Sequence, residues 1–294
     1  MTDAYVLHER PELESPVLVA CLHGWIDVGA GGASAMEVLE SEVAEVEVAT
    51  FDADRFIDYR ARRPVMQLRD GVNEQLVWPE TKLRAGHDRN GKSVLLLTGH
   101  EPDAAWRAFV DAASTLAVDL GARMLVGLGA YPYAAPHTRT PRLSISASTT
   151  DLAISLPFGR NSVDVPAGVQ AALERSFADK GLPAVGLWAQ VPHYVSNFAY
   201  PAASVALLGG LTELTGIELA ADQLRRDAEA HRKQLDELVA SNNEHVEMVR
   251  QLEVAYDAEA DSWGMPGSLA PGGDLPTGDE LAAELERFLR DQGS

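Results

Sequence analysis

Five short runs rich in valine and leucine, at 16–22, 46–51, 93–98, 123–128 and 184–190, are separated by stretches with helical spacing. Runs that are apolar at nearly every position suit strands covered on both faces, so the pattern predicts parallel strands alternating with helices. Helices are expected at about 31–43, 103–120, 167–180 and 201–215. Residues 74–98 interrupt that rhythm, because Asp88-Arg89-Asn90-Gly91 has the composition of a hairpin turn between two strand-like runs. Leu143-Ser144-Ile145-Ser146-Ala147 reads as a further short strand. The fold class expected is therefore α/β, a mixed and largely parallel sheet between helices. With 294 residues, 46% of them hydrophobic, the chain can fill one large core of this kind.

Beyond Gly216 the pattern changes. Leu219, Leu224, Leu235, Leu238, Val239, Val246, Val249, Leu252 and Tyr256 recur at three- and four-residue intervals among charges, giving one apolar stripe on long helices, with Asn242-Asn243 marking a bend or a turn between two helices. A helical pair packed on the core and a coiled coil both satisfy this spacing. The stripe from Leu235 to Tyr256 also predicts self-association, since one core need not cover it all. Gly264-Met265-Pro266-Gly267 through Pro271-Gly272-Gly273 has linker composition, and Thr277-Gly278-Asp279-Glu280 has the form of a capping box before Leu281, Leu285, Phe288 and Leu289. The divisions expected are an α/β core at 1–217, an acidic helical extension at 218–262, a linker at 263–278 and a short helix at 279–294.

Charge removes several classes of ligand. The formal net charge is −20, and residues 213–294 hold 19 acidic against 7 basic side chains, so phosphate backbones and anionic membrane surfaces are repelled. Neither nucleic acid nor membrane is an expected partner. The single cysteine, Cys21, lies inside an apolar run and reads as a buried strand residue. No membrane-length apolar stretch and no secretory signal pattern is present, so the cytoplasm is the expected compartment. No GxSxG elbow, HExxH or paired-cysteine pattern occurs, and neither a metal nor a cofactor is expected.

In open α/β sheets, ligands sit beyond the carboxyl ends of parallel strands, so polar residues just after each strand carry the most weight. The first strand runs into His23-Gly24-Trp25-Ile26-Asp27, followed by glycines 29, 31 and 32 and a helix, a turn that suits either structure or anion binding. The third ends in Gly99-His100-Glu101-Pro102-Asp103. There His100 and Glu101 form a candidate acid/base pair, while Pro102 also fits as a first helical residue with Asp103 on the helix dipole. The fourth leads to Tyr131-Pro132-Tyr133 and then Pro136-His137-Thr138-Arg139, with Arg139 the candidate for gripping a carboxylate or phosphate. The last ends in Val191-Pro192-His193-Tyr194. Candidate ligand-binding residues are thus Trp25, Asp27, His100, Glu101, Tyr131, His137, Arg139, His193 and Tyr194, expected to cluster on one edge of the sheet.

These segments together resemble the actinobacterial branch of the proteasome-assembly-chaperone-type family, named after the second eukaryotic assembly chaperone. The resemblance is carried by Gly24-Trp25-Ile26-Asp27-Val28-Gly29, by Phe51-Asp52-Ala53-Asp54-Arg55-Phe56-Ile57-Asp58-Tyr59 with Arg63-Pro64, and by Gly99-His100-Glu101-Pro102 with Trp106 and Phe109. Pro136-His137-Thr138-Arg139 and Val191-Pro192-His193-Tyr194 with Pro201 complete it. It spans roughly 15–215 and implies a phosphorylase/hydrolase-like fold. Two departures stand out. Val165-Pro166-Ala167-Gly168 replaces a Gly-Pro-(Ser/Thr)-Gly helix start, and Asp291-Gln292-Gly293-Ser294 lacks the hydrophobic-tyrosine-any ending by which eukaryotic members dock.

Two functions follow as expectations. The first is a non-enzymatic, homo-oligomeric protein that binds a protein partner, proteasome-related by resemblance alone. The second is an enzyme acting on a small anionic or nucleoside-like molecule, with Arg139 for charge and His137 or His193 for proton transfer. A deep crevice lined by Asp27, Glu101, His137 and His193 would favour the enzyme; the same groups buried and hydrogen-bonded to backbone would favour a structural role.

Overall fold

A computed structural model describes residues 4–259. Its strands are β1 (Tyr5–Leu7), β2 (Val17–His23), β3 (Ala44–Phe51), β4 (Val65–Arg69), β5 (Val72–Val77), β6 (Thr81–His87), β7 (Ser93–His100), β8 (Met124–Tyr133), β9 (Leu143–Ala147), β10 (Gly159–Arg160) and β11 (Ala184–Pro192). Its helices are α1 (Gly31–Val43), α2 (Ala53–Phe56), α3 (Trp106–Asp119), α4 (Thr150–Ser155), α5 (Val169–Asp179), α6 (Pro201–Thr215), α7 (Asp222–Ala240) and α8 (Asn243–Ala258). The main sheet has the order β1-β3-β6-β7-β2-β8-β11-β9-β10. Its centre, β7-β2-β8-β11, is parallel, so four carboxyl ends share one edge. Antiparallel β6 and β9 flank that centre.

Burial on both faces explains the continuous apolar runs. In β2, Val17, Val19 and Cys21 face one core layer with Leu39 of α1 and Leu207 of α6, while Leu18 and Ala20 face the other with Phe109 of α3 and Phe177 of α5. Each valine, leucine or phenylalanine among them contributes about 1.5–3 kcal/mol of burial, which is why the apolar runs dictate the layered architecture. The α5 layer also holds a polar seam. Glycines 127, 129 and 186 leave room there for Gln170, Trp188 and the buried Glu174, whose carboxyl accepts from Ser146 Oγ at 3.1 Å.

Two elements differ from the sequence reading, and a third takes one of the two forms it allowed. β4 and β5 form a separate two-stranded hairpin with Val65 opposite Val77 and Met66 opposite Leu76. The turn Asp70-Gly71, with Gly71 at φ 82°, closes it. α3 begins at Trp106, so Pro102 is not its first residue: the Asp103 carboxylate is taken up by Arg62 at 3.1 Å and by the Asp58 amide at 2.9 Å. The segment after Gly216 is a helical pair laid on the core. Leu235, Val249 and Tyr256 are buried, Leu219 and Leu224 pack against the α1–α6 layer, and Leu238, Val246 and Val254 face outward. The bend is a cap, with the Asn242 side chain accepting from the Glu244 amide at 2.9 Å. The expected linker at 263–278 and helix at 279–294 lie outside the described residues.

Candidate functional site

The parallel centre puts the ends of β2, β7, β8 and β11 side by side. His23 and His100 are partners in register, their ring centroids 5.8 Å apart. Burial and the nearby Arg62 hold the His100 imidazole below its ordinary pKa, and its Nδ1 is buried with no hydrogen-bond partner among the described residues. Next to it Glu101 is buried and turned away from solvent: its carboxylate accepts the Val169 amide at 3.1 Å, occupying the start of α5 with a negative charge. Gly24, at φ 132°, allows this packing, since a Cβ there would lie 2.7 Å from the Arg62 guanidinium and 2.8 Å from Glu101 Cγ. Trp25 lies across Gly168 at the same helix start.

Asp27 closes the turn into α1. Its two carboxylate oxygens accept the amides of Gly32 at 2.7 Å and Ala33 at 2.9 Å, so it caps the helix from upstream. Burial raises its pKa, and the two amides oppose that rise.

On the β8–β11 side, α7 and α8 strap the strand-end loops. The His137 backbone amide donates to Tyr194 Oη at 2.7 Å, and Tyr194 Oη lies 2.7 Å from His137 Nδ1. The Asp236 carboxylate can only accept, so Nε2–H donates to it at 3.2 Å, and in the neutral ring Nδ1 then accepts from the Tyr194 hydroxyl. This network fits a neutral imidazole, and burial keeps His137 below its ordinary pKa against the pull of Asp236. Arg139 grips two carboxylates of this chain, Glu253 at 3.0 Å and Asp257 at 2.8 Å. Thr138 donates to Glu253 as well. The Arg142 guanidinium lies 3.7 Å from the Tyr256 ring centroid and donates to the Tyr256 carbonyl at 2.7 Å. Tyr131 Oη is shared with Ser144 and Gln190, and His193 is exposed with its ring edge-on to Tyr194.

The structure thus brings His100, His137 and His193 to one edge, in two groups. Trp25, His100 and Glu101 stand over β2 and β7; Tyr131, His137, Arg139, His193 and Tyr194 stand over β8 and β11. Asp27 belongs to the first loop but is spent on α1. Arg139, offered by the sequence for an incoming anion, is already occupied from α8, and residues 114 to 118 positions away in the chain carry no local signal of that pairing. A cleft of about 240 Å3 opens on the α1 side, lined by Cys21, His23, Met36, Glu37, Glu40 and Thr98, and none of the nine candidates lines it. Burial raises the Cys21 thiol pKa far above its ordinary value, which makes it a poor nucleophile. Among the described residues no group of three or more His, Cys, Asp or Glu side chains is arranged to hold a metal, and no helix is long and apolar enough to cross a membrane.

Fold and site together define an α/β sandwich with a parallel centre, whose strand-end groups are largely held by the chain's own helices. The chain belongs to the PAC2 family, whose family model matches residues 21–239. It is similar to a Mycobacterium tuberculosis protein of unknown function at 34% identity and a TM-score of 0.80, covering 88% of this chain and 92% of that one. A PAC2 family protein from Streptomyces avermitilis is 34% identical, with a TM-score of 0.71 and coverage of 80% and 99%. A Mycobacterium tuberculosis proteasome-assembly chaperone homologue is 30% identical, with a TM-score of 0.73 and coverage of 79% and 99%. A search of curated proteins gives no match.

Proposed function

We propose that this chain is a non-enzymatic, self-associating protein of the cytoplasm that binds a protein partner in a chaperone-like role. The observation that carries this is the β4–β5 hairpin. Val65, Met66, Leu68, Val72, Leu76 and Val77 are all exposed there, and Trp78 at its foot is half-exposed beside Tyr59. An isolated two-stranded hairpin is marginal in water, and this much apolar surface on one is an unusual cost unless something covers it. It carries little charge: residues 65–77 hold one arginine against two acids in a chain of net charge −20. A nearly uncharged apolar projection therefore suits an apolar protein surface, such as the same hairpin of a second copy.

The self-held state of the strand ends supports the same reading. An enzyme needs groups free to meet a ligand, whereas Asp27, Glu101, His137 and Arg139 are each engaged by backbone or side chains of this protein. Likeness to a relative described as a proteasome-assembly chaperone homologue makes a protein the class of partner to test. The experiment is sedimentation equilibrium of the wild type and of a Met66→Asp/Leu76→Asp variant at micromolar concentration. The reading expects an oligomer that the double substitution dissociates with unchanged far-UV circular dichroism. A monomeric wild type, or a variant that assembles as before, overturns it.

A further inference from the structure

A second apolar surface rims the sheet's carboxyl edge, apart from the hairpin. Trp25 (46% exposed), Ile26 (39%), Val165 (66%) and Phe198 (68%) belong to three loops. Contacts tie those loops together: Trp25 lies on Gly168, three residues beyond Val165, and the Phe198 carbonyl sits beside Gly29, three residues beyond Ile26. Exposed apolar side chains beside Gly168 and Gly29 on this edge are of the kind that monomers seldom leave bare.

We propose that residues 281–289 of the same chain seat on this rim. The described chain reaches the right place, since α8 ends at Ala258 and the next residue, Glu259, accepts from Tyr133 Oη at 3.1 Å at the end of β8. β8 is the immediate neighbour of β2, which leads into Trp25 and Ile26. The 21 residues between Glu259 and Leu281 include the Gly/Pro-rich stretch, and a chain of that length reaches at most about 70 Å, many times the strand spacing. Leu281, Leu285, Phe288 and Leu289 then supply four large apolar side chains at helical spacing, an apolar face to match the rim. Asp279, Glu280, Glu284 and Glu286 flank that face, and Arg62 lies at the rim beside Gly24. Tethering favours this occupant over a second copy: a segment joined through the chain meets the rim at about millimolar effective concentration, whatever the protein concentration.

The test is hydrogen exchange in the full-length protein and in a full-length Leu285→Asp/Phe288→Asp variant. Exchange about tenfold faster at Trp25–Ile26 and at the amides between Val163 and Gly168, with the rest of the core unchanged and no dependence on protein concentration, is the expected result. Unchanged exchange at those amides overturns the proposal. So does protection that survives the double substitution but is lost in the Met66→Asp/Leu76→Asp hairpin variant, since a neighbouring copy would then be the cover. The rim and the hairpin are tested by different substitutions, so either reading can fail alone.

Discussion

Glu101 and Val169 stand 68 positions apart in the chain and meet at 3.1 Å, the carboxylate at the end of β7 accepting an amide in the first turn of α5. A helix start attracts anions, and here the protein supplies its own. Glu101→Gln keeps an acceptor but removes the charge and is expected to cost about 0.3–2 kcal/mol. Glu101→Ala leaves the amide unpaired in a buried place and is expected to cost about 1–3 kcal/mol. Urea midpoints of both variants check the order, and equal stability of wild type and Glu101→Ala would show the contact to be idle.

Glu174 should give the protein a pH signature opposite to that of a paired carboxylate. Burial raises its pKa, against hydrogen bonds from Ser146 and Gln170 that favour the charged form. The folded state then holds this proton more tightly than the unfolded chain. Its contribution is fully present below the unfolded value and is lost as pH rises through the folded one. Glu174→Gln is therefore expected to be at least as stable as wild type at pH 7, with wild type gaining on it as pH falls toward 4. A denaturation series over that interval measures the crossover.

The docking of α7 should weaken on mild acidification. His137 lies under this strap and His231 belongs to it, and burial holds both below the ordinary imidazole value. His137 faces Tyr194, Asp236, Arg232 and Glu253, of which the carboxylates favour its charged form; the His231 ring faces Tyr200. With folded pKa values depressed, docking is complete above about pH 6.5 and is lost as pH falls through the shifted values. Hydrogen exchange of α7 and α8, corrected for intrinsic rate, should show more opening at pH 5.5 than at 7.5, and His231→Gln should flatten the difference.

Two contacts of α8 should differ in strength. Tyr256 Oη accepts the Arg142 amide at 2.9 Å and donates to the Thr140 carbonyl at 3.2 Å in a buried setting, so Tyr256→Phe is expected to loosen α8 by about 1–3 kcal/mol. Arg139 is 38% exposed and Asp257 53%, so solvent screens their pair and Arg139→Ala is expected to cost about 0.2–1 kcal/mol, less in high salt. Local exchange of α8 with and without added salt separates the two.

The layers were legible in the sequence because burial on both faces writes itself as continuous apolar runs. α1 and α6 fall on their predicted residues, 31–43 and 201–215, since each combines strong spacing with a clear start. The β4–β5 hairpin was not read, although Asp70-Gly71 between Val65-Met66 and Leu76-Val77 has hairpin chemistry; its apolar residues serve no core, so they give no burial pattern. At the site, the sequence named groups that do share an edge, because parallel strands guarantee it. What it could not supply was the partner of each group. Arg139 with Asp257, or His137 with Asp236, depends on where two helices land a hundred residues later, and nothing local encodes that landing.

The glycines under the α5 layer also constrain how this chain can change over time. A Cβ at Gly186 would come within 2.5 Å of Glu174 Oε1 and 2.8 Å of Trp188 Nε1, and one at Gly129 within 2.5 Å of the Trp188 ring. Neither glycine can be replaced first. Trp188 must shrink before position 129 can gain a side chain, and Glu174, Ser146 and Trp188 must all give way before position 186 can. Each enlarging step is thus open only along one order of substitutions, so descendants that keep the indole and the buried acid are held to glycine beneath them.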